Sequence, residues 1–486
     1  MKTKTIQKTM KTMHKVKIYV WAVLWLVLAG ACVGPRYTLP DSRLQLPATF
    51  GKTADTLATV QPDWRTFFED KQLQALIDSA LQHNRELNIL LQEIVIAQNE
   101  VLARKGEYLP FVRLGAAAEM DKVGEYTRYG AVEKQLDIRP GEVFPEPFSH
   151  FELGAYASWE IDIWKRLRNA KKAAALRYMA SIEGRRFVQT QVIAEVAEAY
   201  YELMALDNLL AIVEEYARIQ ENALELVRQR LQAGRDTRLA VNRFAARLLK
   251  TKNLRYAIRQ RITETENRLR FLTGQLPDSI VRSSGRFLEL SADSILTGVP
   301  ARLLQNRPDV RRAELELAAA KLDVQSARAL FYPSLDLRAG IGFQAFNPAF
   351  LLAPESMLYN LAGDLMAPLI NRNAIRAAYN SANARQLQAL YAYEQTLIQA
   401  YTDVVNQLAK LDNYTQSLQL KSEEVRILTE SINIANALYR AADADYLEVL
   451  LTQIEAMDAR LELVEVKLKQ LQAKVQLYRA LGGGWQ

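Results

Sequence analysis

Few side chains in this sequence belong to the types that ligate metals or act as nucleophile and base. There are three histidines, His14, His83 and His150, and one cysteine, Cys32. A zinc-type centre needs three or four converging His or Cys donors, and so sparse a set does not supply them. No GxxxxGK[ST] segment and no GxGxxG segment occurs, so a nucleotide-phosphate cradle is missing too. Gly482 to Gly484 precede Trp485 at the end of a helical pattern and read as a helix C-cap. Glu423 and Glu424 read as helix surface rather than a general acid and base. The residues therefore predict no enzyme, no metal site and no cofactor. The remaining notable chemistry is charge gathered at two short breaks, Arg235 and Arg238 at one, Asp443, Asp445 and Glu448 at the other.

Cys32 has a chemistry of a different kind. Residues 1–17 carry six lysines and no acid, Ile18 to Leu28 is an apolar run of eleven, and Ala29, Gly30 and Ala31 precede the cysteine. The run is too short to span a bilayer, which takes about twenty residues, and reads as an export signal over 1–31. The small residues before Cys32 resemble the lipobox of bacterial lipoproteins. That resemblance implies a lipid on Cys32, a lipidated tether over 32–70 and, with Val33 following, sorting to the outer membrane. A single cysteine permits no intrachain disulfide. From Cys32 onward the chain holds 56 basic and 55 acidic residues, a net of +1, so six of the overall +7 belong to the signal and the charge gives no reason to expect nucleic acid.

The elements that position these groups are long helices. No proline occurs between Phe148 and Leu276 or beyond Leu369, although the chain has fifteen. Leu447, Leu450, Ile454, Met457, Leu461, Val464, Leu468, Leu471, Val475 and Tyr478 follow an unbroken 3,4 spacing, a heptad seam. A helix over 372–440 would be roughly 100 Å long and must pack on other long helices.

The chain is also duplicated. Leu87, Glu93, Ala97, Val101, Tyr108 and Pro110 match Val310, Glu316, Ala320, Val324, Phe331 and Pro333, while Arg270, Leu272 and Gly274 match Arg479, Leu481 and Gly483 at a smaller offset. The first copy (71–298, with its connector) thus carries extra residues relative to the second (299–486), and Asp121 to Ser149 is the place predicted for them, as a long exposed loop. Each copy offers one hairpin of alternating strands: Phe111–Met120 with Ser149–Ile163, and Pro333–Ala345 with Met357–Leu369. Four strands cannot close a barrel, which takes about eight or more, whereas three copies would supply twelve and begin to leave a lumen. A four-stranded sheet on the helices of a soluble protein is the alternative at this level.

The residues resemble one family over nearly the whole mature chain, the TolC-like outer-membrane efflux channels, in the lipoprotein branch serving resistance-nodulation-division pumps. The resemblance rests on Cys32 to Tyr37 with Pro40, on Asp63, Trp64, Phe67, Phe68, Asp70 and Leu73, on Ser158 to Arg168 (SWEIDIWKRLR), and on Leu477 to Trp485 (LYRALGGGW). Most specific are Leu303, Leu304, Arg307, Pro308, Asp309, Val310, Arg311, Ala313 and Glu314, which resemble an LL-x-x-RPDVR-x-AE signature.

The resemblance implies a mainly α protein with a membrane β-barrel portion, in which duplicated helical hairpins form a trimeric α-barrel and four strands per chain build a twelve-stranded barrel. It implies a lipid-anchored outer-membrane location with a large periplasmic part, a homotrimer, a periplasmic adaptor and an inner-membrane transporter as partners, and no chemistry. The repeat-equivalent breaks would form the periplasmic tip, with Arg235, Arg238, Asp443, Asp445, Glu448 and Leu451 as channel gate and Gly234, Asp236 and Ala442 as adaptor contacts. Cross-hairpin pairs between the basic and acidic breaks are expected to hold it closed. A glycine is usual where Ala442 stands, so the second turn is expected to be the looser. Leu451, in place of an acid, suggests an apolar constriction. Glu160 and Asp162 are expected to give the lumen a cation preference, and Trp159 and Trp164 to sit at a membrane interface or in a packed core. A duct for type I protein secretion, a periplasmic adaptor and a structural coiled-coil envelope lipoprotein are the competing readings.

Overall fold

The computed structural model describes residues 44, 47, 50, 63–291, 307–441 and 443–483. The signal segment, Cys32, Leu303, Leu304, Ala442 and Trp485 lie outside the described residues. Two repeats of one element order follow a short helix α1 (Lys71–His83). The first runs α2 (Arg85–Tyr108), β1 (Phe111–Asp121), β2 (Phe148–Ile161), α3 (Arg166–Gln232) and α4 (Arg238–Leu272). The second runs α5 (Pro308–Ala329), β3 (Ser334–Ala345), β4 (Met357–Met366), α6 (Asn373–Ala441) and α7 (Tyr446–Ala480). The proline-free stretches are thus helices of 67 and 69 residues, each followed by one of 35.

Contacts divide the chain into two units. The first, built from 96–178 and 315–390, contains the strands. They pair antiparallel in the order β1-β2-β3-β4, with Leu114 opposite Ala155, Ala155 opposite Ile341, and Ile341 opposite Tyr359. The last strand ends at Met366, three residues short of the alternation, because Pro368 has no N–H for a ladder. The connection over 122–147 is longer than its counterpart over 346–356 and holds a short helix, Arg128–Glu133, and a small hairpin, Asp137–Arg139 with Glu142–Val143. The expected long loop therefore has local structure of its own. Where β2 and β4 turn into helices, Lys165 (φ 62°) and Asn371 (φ 53°) both adopt the left-handed conformation, so the duplication reaches a strained detail of the backbone.

The second unit, 42–95, 179–314 and 391–486, holds the main apolar core. Trp64, Phe68, Leu73 and Ile77 at the N-terminal side meet Tyr200, Leu203, Leu269, Leu272, Val475 and Tyr478. In the heptad seam Leu450, Met457, Val464, Leu471, Val475 and Tyr478 are buried, and Leu447, nearest the break, is 40% exposed. Helices α4 and α7 end alike. The Gln275 N–H reaches the Arg270 carbonyl (2.8 Å) across Gly274 at φ 70°, and the Gly483 N–H reaches the Tyr478 carbonyl (3.2 Å) across Gly482 at φ 78°. The conformational partner of Gly274 is therefore Gly482, one residue from the sequence match with Gly483.

The Arg-Pro-Asp-Val run owes its form to one buried charge. Arg307 is 5% exposed; its guanidinium donates to the Ala480 carbonyl at the end of α7 (2.8 Å) and to that of Ala400 (3.4 Å), and pairs with Asp309 (2.7 Å) and Asp403 (3.5 Å). A cation at a helix C-terminus meets the negative end of the dipole, and Pro308 starts α5 where a missing N–H costs nothing. Removing Arg307 would take the charged donor from two half-buried carboxylates and from the Ala480 carbonyl, so Arg307→Ala is expected to destabilise this unit by about 1.5 to 3 kcal/mol, read as a lowered midpoint in chemical denaturation followed by far-UV circular dichroism.

Burial pushes the Glu198 carboxyl above its usual range, an effect partly offset by the Gln476 amide (2.5 Å) and by Arg479 and Arg268. An acid whose pKa is raised by folding contributes stability below its unfolded pKa and loses it as pH rises through the folded value. The wild type is expected to melt lower at pH 8 than at pH 5 from this group. Glu198→Gln should flatten that difference, and thermal melts at the two pH values check it.

Candidate functional site

Two places could carry function, the faces of the sheet and the turns between the long helices. In the sheet, the register gathers side chains of one kind on each face. Val112, Leu114, Leu153, Trp159, Leu337, Ile341, Tyr359 and Leu361 share one face, with Leu114 85%, Tyr359 80% and Leu361 80% exposed. The opposite face carries Arg113, Glu119, His150, Glu152, Glu160, Asp336, Arg338, Gln344 and Asp364. A continuous apolar face this exposed is covered by lipid or by protein in the working state, while the polar face suits water. The Tyr156 ring lies over Gly115 and Gly340, and its hydroxyl donates to Glu152. Among the described residues, the two outer strands, β1 and β4, have no ladder partner on their far sides.

One expectation at the sheet end needs correction. Asp162 belongs to the helix start rather than to the polar face: its carboxylate accepts the backbone N–H groups of Leu167 (3.1 Å) and Arg168 (2.9 Å) and the Arg168 guanidinium (3.2 Å). It satisfies the orphan donors of α3, a need that spacing alone does not reveal. Glu160 does lie on the polar face but is paired with Arg166. Of the tryptophans, Trp159 lies on the apolar face with its indole N–H on the Tyr108 carbonyl (3.1 Å), and Trp164, 46% exposed, stacks on Tyr332 (4.6 Å).

In the second unit both helix breaks are tight turns closed in the same way. The Arg235 N–H reaches the Arg230 carbonyl (2.8 Å) with Gly234 at φ 72°, and Thr237 caps α4 by accepting the Ala240 N–H (3.2 Å). The Asp443 N–H reaches the Leu438 carbonyl (3.0 Å), so the second turn closes with the same bond as the first despite Ala442 in the sequence. Arg235, Arg238, Asp443, Asp445 and Glu448 are exposed, Leu451 is 48% exposed, and Gly234 is exposed.

Among the described residues no ion pair joins Arg235 or Arg238 to Asp443, Asp445 or Glu448 within the chain. Arg230, Asp236 and Tyr439 join the hairpins instead. The Asp236 carboxylate, 8% exposed, accepts from the Arg230 guanidinium (2.9 Å) and the Tyr439 hydroxyl (2.6 Å), and Arg230 also donates to the Tyr439 carbonyl (3.1 Å) while lying 4.3 Å from its ring centre. Asp236 thus faces inward and is little available as an adaptor contact. Burial, then the Asp236 hydrogen bond and charge, push the Tyr439 phenol well above its ordinary pKa, so it stays protonated and donating. Sequence reading missed Arg230 and Tyr439. The available signal was a tyrosine on an apolar stripe, whose hydroxyl needs a partner when buried.

Below this network Leu224, Val227, Ala240, Phe244, Leu248, Val449 and Leu450 form a separate apolar cluster around Tyr439. Tyr439→Phe keeps that packing and removes one hydrogen bond worth about 1 kcal/mol. Trypsin is expected to cut after Arg235 or Arg238 roughly fivefold faster in the variant, since cleavage tracks the population of the opened turn. Timed proteolysis on denaturing gels checks it.

Comparison with known proteins accords with this geometry. The family model described as outer membrane efflux protein matches residues 76–275 and 299–483, nearly all of both repeats. The chain belongs to that family. Among relatives, it is 31% identical to the pyoverdine export outer membrane protein OpmQ of Pseudomonas putida over 94% of this chain and 95% of that one. It is 26% identical to the cation efflux system protein CusC of Escherichia coli over 82% and 86%. Among solved structures, the open state of the Neisseria gonorrhoeae MtrE outer membrane channel superposes with a TM-score of 0.81 at 23% identity, covering 93% of this chain and 98% of that one. That likeness gives the fold: a mainly helical chain carrying the strands of an outer-membrane channel.

Proposed function

We propose that this chain is the outer-membrane exit duct of a tripartite efflux pump, a passive homotrimer that passes small molecules from periplasm to exterior. The observation that carries the reading is the sheet: four strands, one apolar face, one polar face, and two edges unpaired among the described residues. Lipid tolerates no unpaired backbone edge, so a membrane location requires β4 of one copy to meet β1 of the next. Three copies make twelve strands, with the polar faces lining water. The names of the relatives, which concern export of pyoverdine and efflux of cations, support efflux over protein secretion.

Energy then comes from partners, an inner-membrane transporter of the resistance-nodulation-division type and a periplasmic adaptor engaging the hairpin turns near Gly234 and Ala442. Cys32 carries the lipid that helps hold the duct in the outer membrane. The threefold mouth is narrowed by Arg235, Arg238, Asp443, Asp445, Glu448 and Leu451, whose exposure in the single chain leaves them available to neighbouring copies. Purified protein reconstituted in a planar bilayer is expected to conduct ions as a trimer, and material that stays monomeric and silent overturns the reading. Leu451→Asp is expected to change closed-state conductance and ion selectivity severalfold; unchanged values would remove Leu451 from the mouth.

A further inference from the structure

The two repeats share a fold but carry opposite charge in the same stretch. Residues 238–261, the first two thirds of α4, hold eight cations and no carboxylate. Residues 443–465, the second turn and the first part of α7, hold seven carboxylates and one cation, Arg460; the strict repeat equivalent, 446–469, holds five carboxylates and three cations. Contacts within the chain use only part of this charge. Lys252, Arg259 and Arg261 pair with Glu221, Glu214 and Glu202 of α3, and among the described residues a single bridge, Arg247 to Asp458 (3.9 Å), links α4 to α7. Among the described residues, Arg238, Arg243, Lys250 and Arg255 of α4 and Glu448, Glu455 and Glu465 of α7 enter no ion pair.

Each charged set is accompanied by exposed apolar side chains. On α4, Leu239 (56% exposed), Leu249 (67%) and Tyr256 (60%) lie near a heptad spacing among the free cations. Between α6 and α7 runs a groove of about 630 Å³, in which Leu420 (74%) and Ile427 (50%) are exposed beside Glu423, Glu455 and Glu462. One surface is a cationic ridge with apolar knobs, and the other is an acidic groove with an apolar floor.

We propose that the cationic ridge of α4 in one copy seats in the acidic groove between α6 and α7 of a second copy, and that this charge-matched seam sets the order in which copies join. The proposal rests on the threefold duct proposed above. Because ridge and groove are different surfaces, the contact is heterologous and repeats head to tail around a ring until it closes. Levels match as well. Arg247 and Asp458 lie side by side in the chain, and copies related by an axis along the helices keep that height. Arg243 of one copy then stands level with Glu455 of the next, and Lys250 with Glu462. Leu249 comes level with the floor of the groove, which the Lys421 to Glu462 bridge ties to the same height. Like-charged ridges repel one another, as do like-charged grooves, so the pairing of two identical surfaces is disfavoured.

The test uses the full-length trimer in detergent and the scarcity of cysteine. Arg243→Cys combined with Glu455→Cys, in a chain whose only other cysteine is Cys32, is expected to give disulfide-linked dimers and trimers on mild oxidation, seen on non-reducing denaturing gels. A charge reversal, Arg243→Glu with Lys250→Glu, is expected to raise trimer dissociation about tenfold at low salt and less at high salt, where exposed charges are screened. Adding Glu455→Lys and Glu462→Lys should restore the trimer. A conducting trimer that forms no interchain disulfide, or a disulfide closing within one chain, overturns the seam and leaves the duct standing. A reversal that leaves the trimer unchanged, or that the counter-reversal does not restore while circular dichroism stays native, also overturns the seam. Protein that is monomeric before any substitution removes the duct and the seam together.

Discussion

An unfinished sheet governs this protein. Among the described residues, four antiparallel strands leave the far edges of β1 and β4 without ladder partners, and one face exposes leucine, tyrosine and isoleucine side chains. In water such a surface invites aggregation; in hydrocarbon each unpaired N–H and C=O costs several kcal/mol. Neither medium suits the single copy, so the sheet calls for company. Much else follows: glycine beneath the Tyr156 ring on the polar face, the carboxylate of Asp162 closing the helix that leaves the sheet, and the tight left-handed turns at Lys165 and Asn371.

Duplication supplies economy, and divergence between the halves supplies direction. The same closing bond ends α3 and α6, and the same glycine-dependent bond ends α4 and α7. Yet Asp236 and Arg230 in the first turn have no matching pair in the second, where Tyr439 supplies hydroxyl and ring to them instead. Joining unlike partners across the two turns is something two identical repeats could not do as specifically. Arg307 serves the other end of the same unit, tying the last carbonyls of α7 to the start of the second repeat.

The large features were legible because they depend on periodicity and punctuation. Proline-free stretches marked α3, α6 and α7, alternation marked the strands within about three residues, and the constant offset exposed the repeat. Less legible were polar side chains whose role is set by a neighbour distant in sequence. Asp162 read as a polar-face acid until the orphan N–H groups of α3 claimed it, and Asp236 read as a surface contact until Arg230 and Tyr439 enclosed it. The expected pairing of Arg235 and Arg238 with Asp443 and Asp445 failed within the chain for a related reason. Net charge at two turns says which groups attract, but packing decides which of them meet.

In the duct proposed above, the connection over 122–147 would bear on what the outside world encounters. In a threefold arrangement only every second hairpin carries it, so the outer rim would bear three bulky flaps alternating with three low crossings. With little core to constrain it, that segment can change in length and sequence at small cost to the fold, while the β-strands beneath keep their register.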